Sequence, residues 1–250
     1  MTETGGDVNL YFNFVKLSLD LEVQSIVQTM MKRIDIALKM REIGAVPLFY
    51  HPDTELCKEV ISACYRGGMN IFEFTNRGEH AHETFSELSK WAKKSLPDLV
   101  LGVGSVVDAG TCSLYMQMGA QFIVSPLLNE EMGRVCNRRK VLWIPGCATP
   151  SEISRAEELG AEIIKIFPGP TVGGPAFIKA YLGPCPWSNL MPSGGVAPTE
   201  ENLSEWFSSG VFAVGMGSKL ISGEIVANRD YRKLEQVSRK ALEIIQKLRS

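Results

Sequence analysis

The sequence predicts an α/β protein folded as a closed (β/α)₈ barrel, and three observations predict it. Short apolar runs alternate with stretches of helical spacing from residue 32 to the C-terminus. Eight such strand–helix units can be counted, spaced roughly 20–25 residues apart, and the chain of 250 residues is about the length of one such barrel. Regular alternation of strand and helix implies parallel strands joined by right-handed crossovers. An open doubly wound sheet usually has about five or six strands, so eight units argue for closure. No G-x-G-x-x-G run follows the first strand, which also speaks against a dinucleotide-binding sheet.

The elements can be justified in chain order. KRIDIALKMREIG has helical spacing and places Ile34, Ala37, Leu38 and Ile43 on one side. AVPLFYH is the first strand. DTELCKEVISACYRGG opens on an aspartate that can cap a helix and ends in glycines that stop one. NIFEFTNR is the second strand. The alternation continues with a helix over 80–95, strand LVLGVGSV, a helix over 108–118 and strand QFIVSP. A helix over 129–138, strand LWIPGC, a helix over 150–159 and strand EIIKIFPG follow. The series closes with a helix over 174–182, strand NLMPSGG, a helix over 199–209, strand FAVGMGS and one long helix to the end. No linker, charge run or low-complexity stretch divides residues 32–250, so they form one expected domain. Residues 1–31 differ: MTETGGD is polar, and NLYFNFVKLSLDLEV alternates as a strand would. They lack the charged start and compact apolar run of a secretory signal, and their composition makes them an expected extension outside the barrel.

Composition narrows the partners. Hydrophobic residues make up 45% and charged residues 22% of the chain, with a formal net charge of −2. That balance gives no electrostatic reason to expect a nucleic acid or an anionic membrane. No stretch of about 18 uninterrupted apolar residues is present, so no membrane-spanning helix is expected. The six cysteines form no C-x-x-C pair, and His51, His80 and His82 lie far from most of them. No metal site is expected from that spacing. Scattered cysteines read as reduced, mostly buried small hydrophobes, as suits a reducing cytoplasm.

Two strands carry charges where barrel strands are normally continuous apolar runs. In NIFEFTNR, Ile71, Glu73, Thr75 and Arg77 share one face; in EIIKIFPG, Ile163, Lys165 and Phe167 do. Burying an unpaired charge costs several kcal/mol, so something must justify both. One structural reading is a buried Lys–Glu ion pair; another is a lysine at a strand end turned to solvent. The chemical reading is that desolvation disfavours the ammonium, and a neutral amine can attack a carbonyl.

In barrels the active site lies at the C-terminal ends of the strands. Arg77, Ser105, Pro126, Thr149, Phe167, Gly194, Gly195 and Ser218 fall near such ends. Arg77 offers a planar fork suited to a carboxylate. The PSGG and GMGS runs end strands seven and eight, where barrel enzymes often hold phosphate on backbone N–H groups. Glycines there also serve plain tight turns.

These residues resemble a known family. GMNIFEFTNR (68–77) and GAEIIKIFPGPTVG (160–173) are similar to the two signatures of the 2-keto-3-deoxy-6-phosphogluconate and 4-hydroxy-2-oxoglutarate aldolases. GVGSV, SP, PGCATPSE and PSGG follow in the family's order, and the resemblance spans residues 32–222. It implies a Schiff-base aldolase with Lys165 as the imine-forming lysine and Glu73 as general acid/base working through a water. It implies that Arg77 and Ser105 bind the substrate carboxylate and that Phe167 packs on the pyruvyl part. Gly194, Gly195, Gly217 and Ser218 would contact the phosphate, with Thr75, Pro126 and Ser193 completing the substrate site. The implied partners are a 2-keto acid and a phosphosugar; the implied assembly is a homotrimer, with no metal and no other cofactor. The implied reaction is cleavage of 2-dehydro-3-deoxy-6-phosphogluconate, with 4-hydroxy-2-oxoglutarate and the galactonate epimer as alternatives.

Four positions depart from the family pattern. Asn76 stands where an apolar residue is usual, Ser105 where threonine is usual, Gly169 where serine or alanine is common, and Ser193 where threonine is usual. They keep the implied chemistry and leave the sugar acid open. Outside this reading, the same fold could host a phosphosugar isomerase without an essential lysine, or a protein that binds phosphosugars without turnover.

Overall fold

The structure, a computed structural model, describes residues 31–250; the expected N-terminal extension lies outside the described residues but for its last one. Among the described residues, nine short strands alternate with helices except where two strands follow one another directly. They are β1 (Ala45–Phe49), β2 (Ile71–Thr75), β3 (Val100–Gly104), β4 (Phe122–Val124), β5 (Leu142–Ile144), β6 (Gly146–Cys147), β7 (Ile164–Ile166), β8 (Leu190–Pro192) and β9 (Val214–Met216). The helices are α1 (Arg33–Ile43), α2 (Thr54–Arg66), α3 (Ala81–Ser95), α4 (Ala109–Gln117), α5 (Glu130–Arg139), α6 (Pro150–Glu158), α7 (Gly174–Leu182), α8 (Glu200–Ser208), α9 (Gly223–Ala227) and α10 (Tyr231–Arg249).

All pairings between these strands are parallel. They form a curled six-stranded sheet in the order β5-β4-β3-β2-β1-β9 and a three-stranded sheet in the order β6-β7-β8. The expected strand LWIPGC is thus divided. Pro145 has no N–H to give a ladder, so the strand breaks there into β5 and β6. The Pro145 carbonyl still accepts the Lys165 N–H at 2.9 Å. Beyond the ladders, an isolated parallel bridge joins Ser193, at the end of β8, to Gly215 of β9.

Local chemistry fixes the helix starts. Asp53 accepts from the N–H groups of Glu55 and Leu56, as its N-cap position requires. Asp108, Asn129 and Thr199 cap α4, α5 and α8 in the same way. Thr149 and Glu152 form a capping box at the start of α6, so the Thr149 hydroxyl is committed to the helix.

Two expectations need correction. In α1 the buried side chains are Ile36 and Met40, while Ile34 and Leu38 are 62% and 57% exposed. The helix turns a different face inward from the one its four apolar residues suggested. The long C-terminal helix is also broken: α9 ends at Ala227, Arg229 adopts φ +49°, and Asp230 starts α10 by accepting from the Lys233 N–H.

Buried residues lie on both faces of the strands. Phe72 and Phe74 pack outward with Phe85 and Tyr115 in the layer shared with the helices. The alternate residues of β2 are Ile71, Glu73 and Thr75, also buried, and they face the other way. The cysteines of the described residues are free, and all but Cys185 are buried. No described helix is long and apolar enough to cross a membrane.

Candidate active site

The residues singled out in the sequence converge where strands end. Arg77 follows β2, Ser105 follows β3, Pro126 follows β4, Phe167 follows β7, Ser193 to Gly195 follow β8, and Gly217 and Ser218 follow β9. Parallel strands all point the same way, so these loops meet at one end of the sheet.

Lys165 is the middle residue of β7. Its strand position makes it 6% exposed, and its Nζ lies 5.0 Å from the centroid of the Phe167 ring. It reaches a cavity of about 360 Å³. Thr75, Arg77, Phe167, Ser193, Gly194, Gly195, Gly217 and Ser218 line the same cavity. That volume lies within the range of small-molecule sites.

Glu73 sits beside this cavity rather than on its wall. It is 1% exposed, and among the described residues its Oε1 has no hydrogen-bond partner. Burial drives its carboxyl above the ordinary carboxylate range; the charges of Lys165 and Arg77 pull it part of the way back. No ion pair between Glu73 and Lys165 occurs among the described residues, so the purely structural ion-pair reading has no support. The strand-end lysine turned to solvent is likewise excluded by the burial of Lys165.

A glycine makes room for that carboxylate. Thr75 pairs with Gly104 in the β2–β3 ladder, and a Cβ at position 104 would overlap the Glu73 carboxyl group. Any side chain there forces Glu73 to move. The next residue, Ser105, takes φ +59°, an uncommon conformation for a residue with a side chain. Its hydroxyl accepts from Arg77 Nε at 3.3 Å, which ties the β3 end to the β2 end. Asn76, the departure between Thr75 and Arg77, accepts a 2.8 Å hydrogen bond from the buried Tyr115 hydroxyl and donates its N–H to the Gly104 carbonyl. The segment carrying Arg77 is therefore anchored on both sides.

The opposite wall is built from backbone. Gly169 donates its N–H to the Ser193 carbonyl at 3.0 Å, so the loop after β7 lies directly on the loop after β8. Gly195 has φ +71°, and a Cβ there would overlap Pro170; only glycine fits. Ser193 is 4% exposed and packs against Gly215.

Ser105 and Pro126 do not line the cavity. Ser105 touches it through Arg77, and the Pro126 carbonyl lies against Gly146 instead. The sequence reading missed Leu48, Phe49, Tyr50, Val196, Lys219 and Ile221, which do line it. AVPLFYH has only the pattern of a strand, although its end, like the others, lines the site. No group of three or more His, Cys, Asp or Glu residues is placed to hold a metal ion among the described residues.

A buried lysine and a buried high-pKa carboxyl group beside a cavity whose charged lining residues are cations suit chemistry on an anionic carbonyl compound. Comparison with known proteins agrees. The family model described as "KDPG and KHG aldolase" matches residues 36–237. The chain is 34% identical over 178 residues to the 2-dehydro-3-deoxy-phosphogluconate aldolase of Pseudomonas aeruginosa, covering 71% of this chain and 78% of that one. It is 27% identical over 199 residues to the KHG/KDPG aldolase of Escherichia coli K12, covering 79% and 90%. Its fold matches a KDPG aldolase from Legionella pneumophila with a TM-score of 0.75, at 23% identity and over 82% of this chain and 97% of that one. That protein was solved with pyruvate captured at low pH as a covalent carbinolamine intermediate. By the family match and the Pseudomonas relative, the chain belongs to the KDPG and KHG aldolase family.

Proposed function

We propose that this protein is a Schiff-base aldolase that cleaves 2-dehydro-3-deoxy-6-phosphogluconate to pyruvate and glyceraldehyde 3-phosphate. The observation that carries the reading is a lysine in the middle of a buried strand, open to a cavity and next to an enclosed glutamate. The names of the Pseudomonas and Escherichia relatives support the substrate.

In this mechanism Lys165, as the neutral amine, attacks the C2 ketone; loss of water gives an iminium, which is the electron sink. Glu73 takes the proton of the C4 hydroxyl through a water. The C3–C4 bond breaks, glyceraldehyde 3-phosphate leaves as the aldehyde, and the electron pair of the broken bond flows into the iminium to form the enamine of pyruvate. Protonation of the enamine at C3 and addition of water to the iminium then release pyruvate from Lys165. Arg77, oriented by Ser105, holds the substrate carboxylate so that C2 faces the amine. Phe167 and Thr75 pack on the pyruvyl part, and Pro126 fixes the loop after β4 at the rim. Ser193, Gly194, Gly195, Gly217 and Ser218 receive the phosphorylated end. No metal or other cofactor enters these steps.

In the same reading, residues 32–250 are one (β/α)₈ barrel in which β5 and β6 count as a single strand. Chain continuity through Pro145 and the Ser193–Gly215 bridge support closure. The protein works in the reducing cytoplasm, in keeping with its free and mostly buried cysteines. It assembles as a homotrimer, for which the exposed Val107, Leu114 and Leu127 offer apolar surface. The test is turnover on three substrates: the 6-phosphogluconate-derived keto acid, its galactonate epimer, and 4-hydroxy-2-oxoglutarate. The highest kcat/KM is expected on the first. A higher value on 4-hydroxy-2-oxoglutarate would reassign the substrate, and pyruvate release from none would remove the function.

A further inference from the structure

Lys219 stands in the turn after β9, which the hydrogen bonds from Leu220 and Ile221 N–H to the Gly217 carbonyl close at 2.9 Å each. It is exposed and lines the same cavity as Lys165. The other charged residues of that lining are Arg77 and Lys165; no carboxylate is among them. Those two cations already have company. Arg77 is bonded to Ser105, and the charges of Lys165 and Arg77 both act on the Glu73 carboxyl. Lys219 forms no ion pair and no side-chain hydrogen bond among the described residues.

Its place in the sheet gives it a direction of use. The strand order β2-β1-β9 puts one strand between the end that carries Arg77 and the end that carries Lys219. At about 4.8 Å per strand the two ends are about 10 Å apart. The bridge between Ser193 and Gly215 brings the Gly194–Gly195 loop next to the Lys219 turn. Among the described residues, neither Gly195 nor Ser218 donates its N–H to a backbone carbonyl. One end of the cavity thus offers a guanidinium, and the other offers free backbone donors and an unpaired ammonium. That spacing fits a six-carbon acid with an anionic group at each end.

We propose that Lys219 is a specificity-determining residue: its ammonium binds the terminal phosphate monoester and makes the site select phosphorylated over unphosphorylated 2-keto acids. This rests on the aldolase reading for the identity of the substrate, but not for the existence of the contact. A lysine is suited to the task as a mobile point charge that reaches a phosphate from several rotamers.

The test uses the full chain and two variants, Lys219→Met, which keeps the stem and removes the charge, and Lys219→Arg. Glycerol 3-phosphate binding, followed by calorimetry, requires no turnover. The expected result is a Kd raised about tenfold in Lys219→Met and largely kept in Lys219→Arg. In turnover, Lys219→Met is expected to raise KM about tenfold for the phosphorylated keto acid with kcat nearly unchanged. It should leave 4-hydroxy-2-oxoglutarate within about twofold. A glycerol 3-phosphate Kd that Lys219→Met leaves within about twofold, or an equal loss on both substrates, overturns the assignment. Absence of glycerol 3-phosphate binding by the unaltered protein overturns it as well. If phosphate affinity falls as expected but the unaltered protein cleaves nothing, the aldolase reading fails while Lys219 keeps its role.

Discussion

β2 and β7 each carry a charge at the centre of a buried strand, yet the two are housed differently. Glu73 in β2 is enclosed on all sides, with Gly104 leaving just enough space for its carboxyl group. Lys165 in β7 is nearly as buried but opens to the cavity beside Phe167. In the proposed mechanism the lysine therefore meets a substrate atom directly, whereas the glutamate acts through something smaller, such as a water. The comparison teaches that burial alone does not mark a nucleophile; burial with one open side does.

The comparison can be broken most directly at the lysine. Lys165→Ala is expected to lower kcat by at least about 10⁴-fold, because it removes the buried amine proposed to form the imine. Near-normal steady-state rates in this variant would move the chemistry elsewhere. Glu73→Gln should cost about 10²–10⁴-fold in kcat, the range for a lost general acid/base, while still forming the imine with pyruvate. A loss of imine formation in that variant would mean that Glu73 instead supports Lys165.

The space around Glu73 offers a subtler probe. Gly104→Ala places a methyl where the carboxyl group lies, and should destabilise the fold by about 1–3 kcal/mol in denaturant melts. It should also lower kcat, since Glu73 must turn away. Wild-type stability and rates together would show that the pocket yields without cost. Arg77→Lys keeps the charge but loses the planar fork held by Ser105, so KM should rise about tenfold in substrate titrations, with a smaller change in kcat.

The smallest effect is a pH dependence. Burial holds the Glu73 carboxyl above its ordinary value of 4.5, so the folded chain keeps a proton there that the unfolded chain loses as pH rises past 4.5. That group's contribution to stability therefore falls with rising pH. Replacing it by glutamine should leave the stability difference between variant and wild type near its lowest at pH 4 and make it grow in the variant's favour towards pH 7. Thermal melts at both pH values check the sign, and a difference that is flat or shrinks with pH would contradict the burial of a titrating carboxyl group.

Much of this site was legible before the structure. Glu73 and Lys165 stood out because a charge inside an apolar strand violates a strong expectation, and Arg77, Phe167 and the two glycine runs followed from strand ends. Helix limits set by side-chain caps, such as Asp53 and Thr149, were legible for the same reason: the cap chemistry is local. What escaped reading depends on distant partners. Pro145 splits a strand that hydropathy shows as continuous. The inward face of α1 is chosen by what it packs against, so Ile36 and Met40 are buried although Ile34 and Leu38 looked equivalent. Tyr50 and Lys219 have no local pattern at all; only the meeting of strand ends puts them in the cavity.

The central claim is a covalent bond between Lys165 and a 2-keto acid. Intact-mass spectrometry after pyruvate and borohydride, followed by peptide mapping, tests it directly. One reduced pyruvyl adduct per chain, on the peptide that carries Lys165 and absent in Lys165→Ala, is the predicted result. An unmodified folded protein, or an adduct on another lysine, would contradict it.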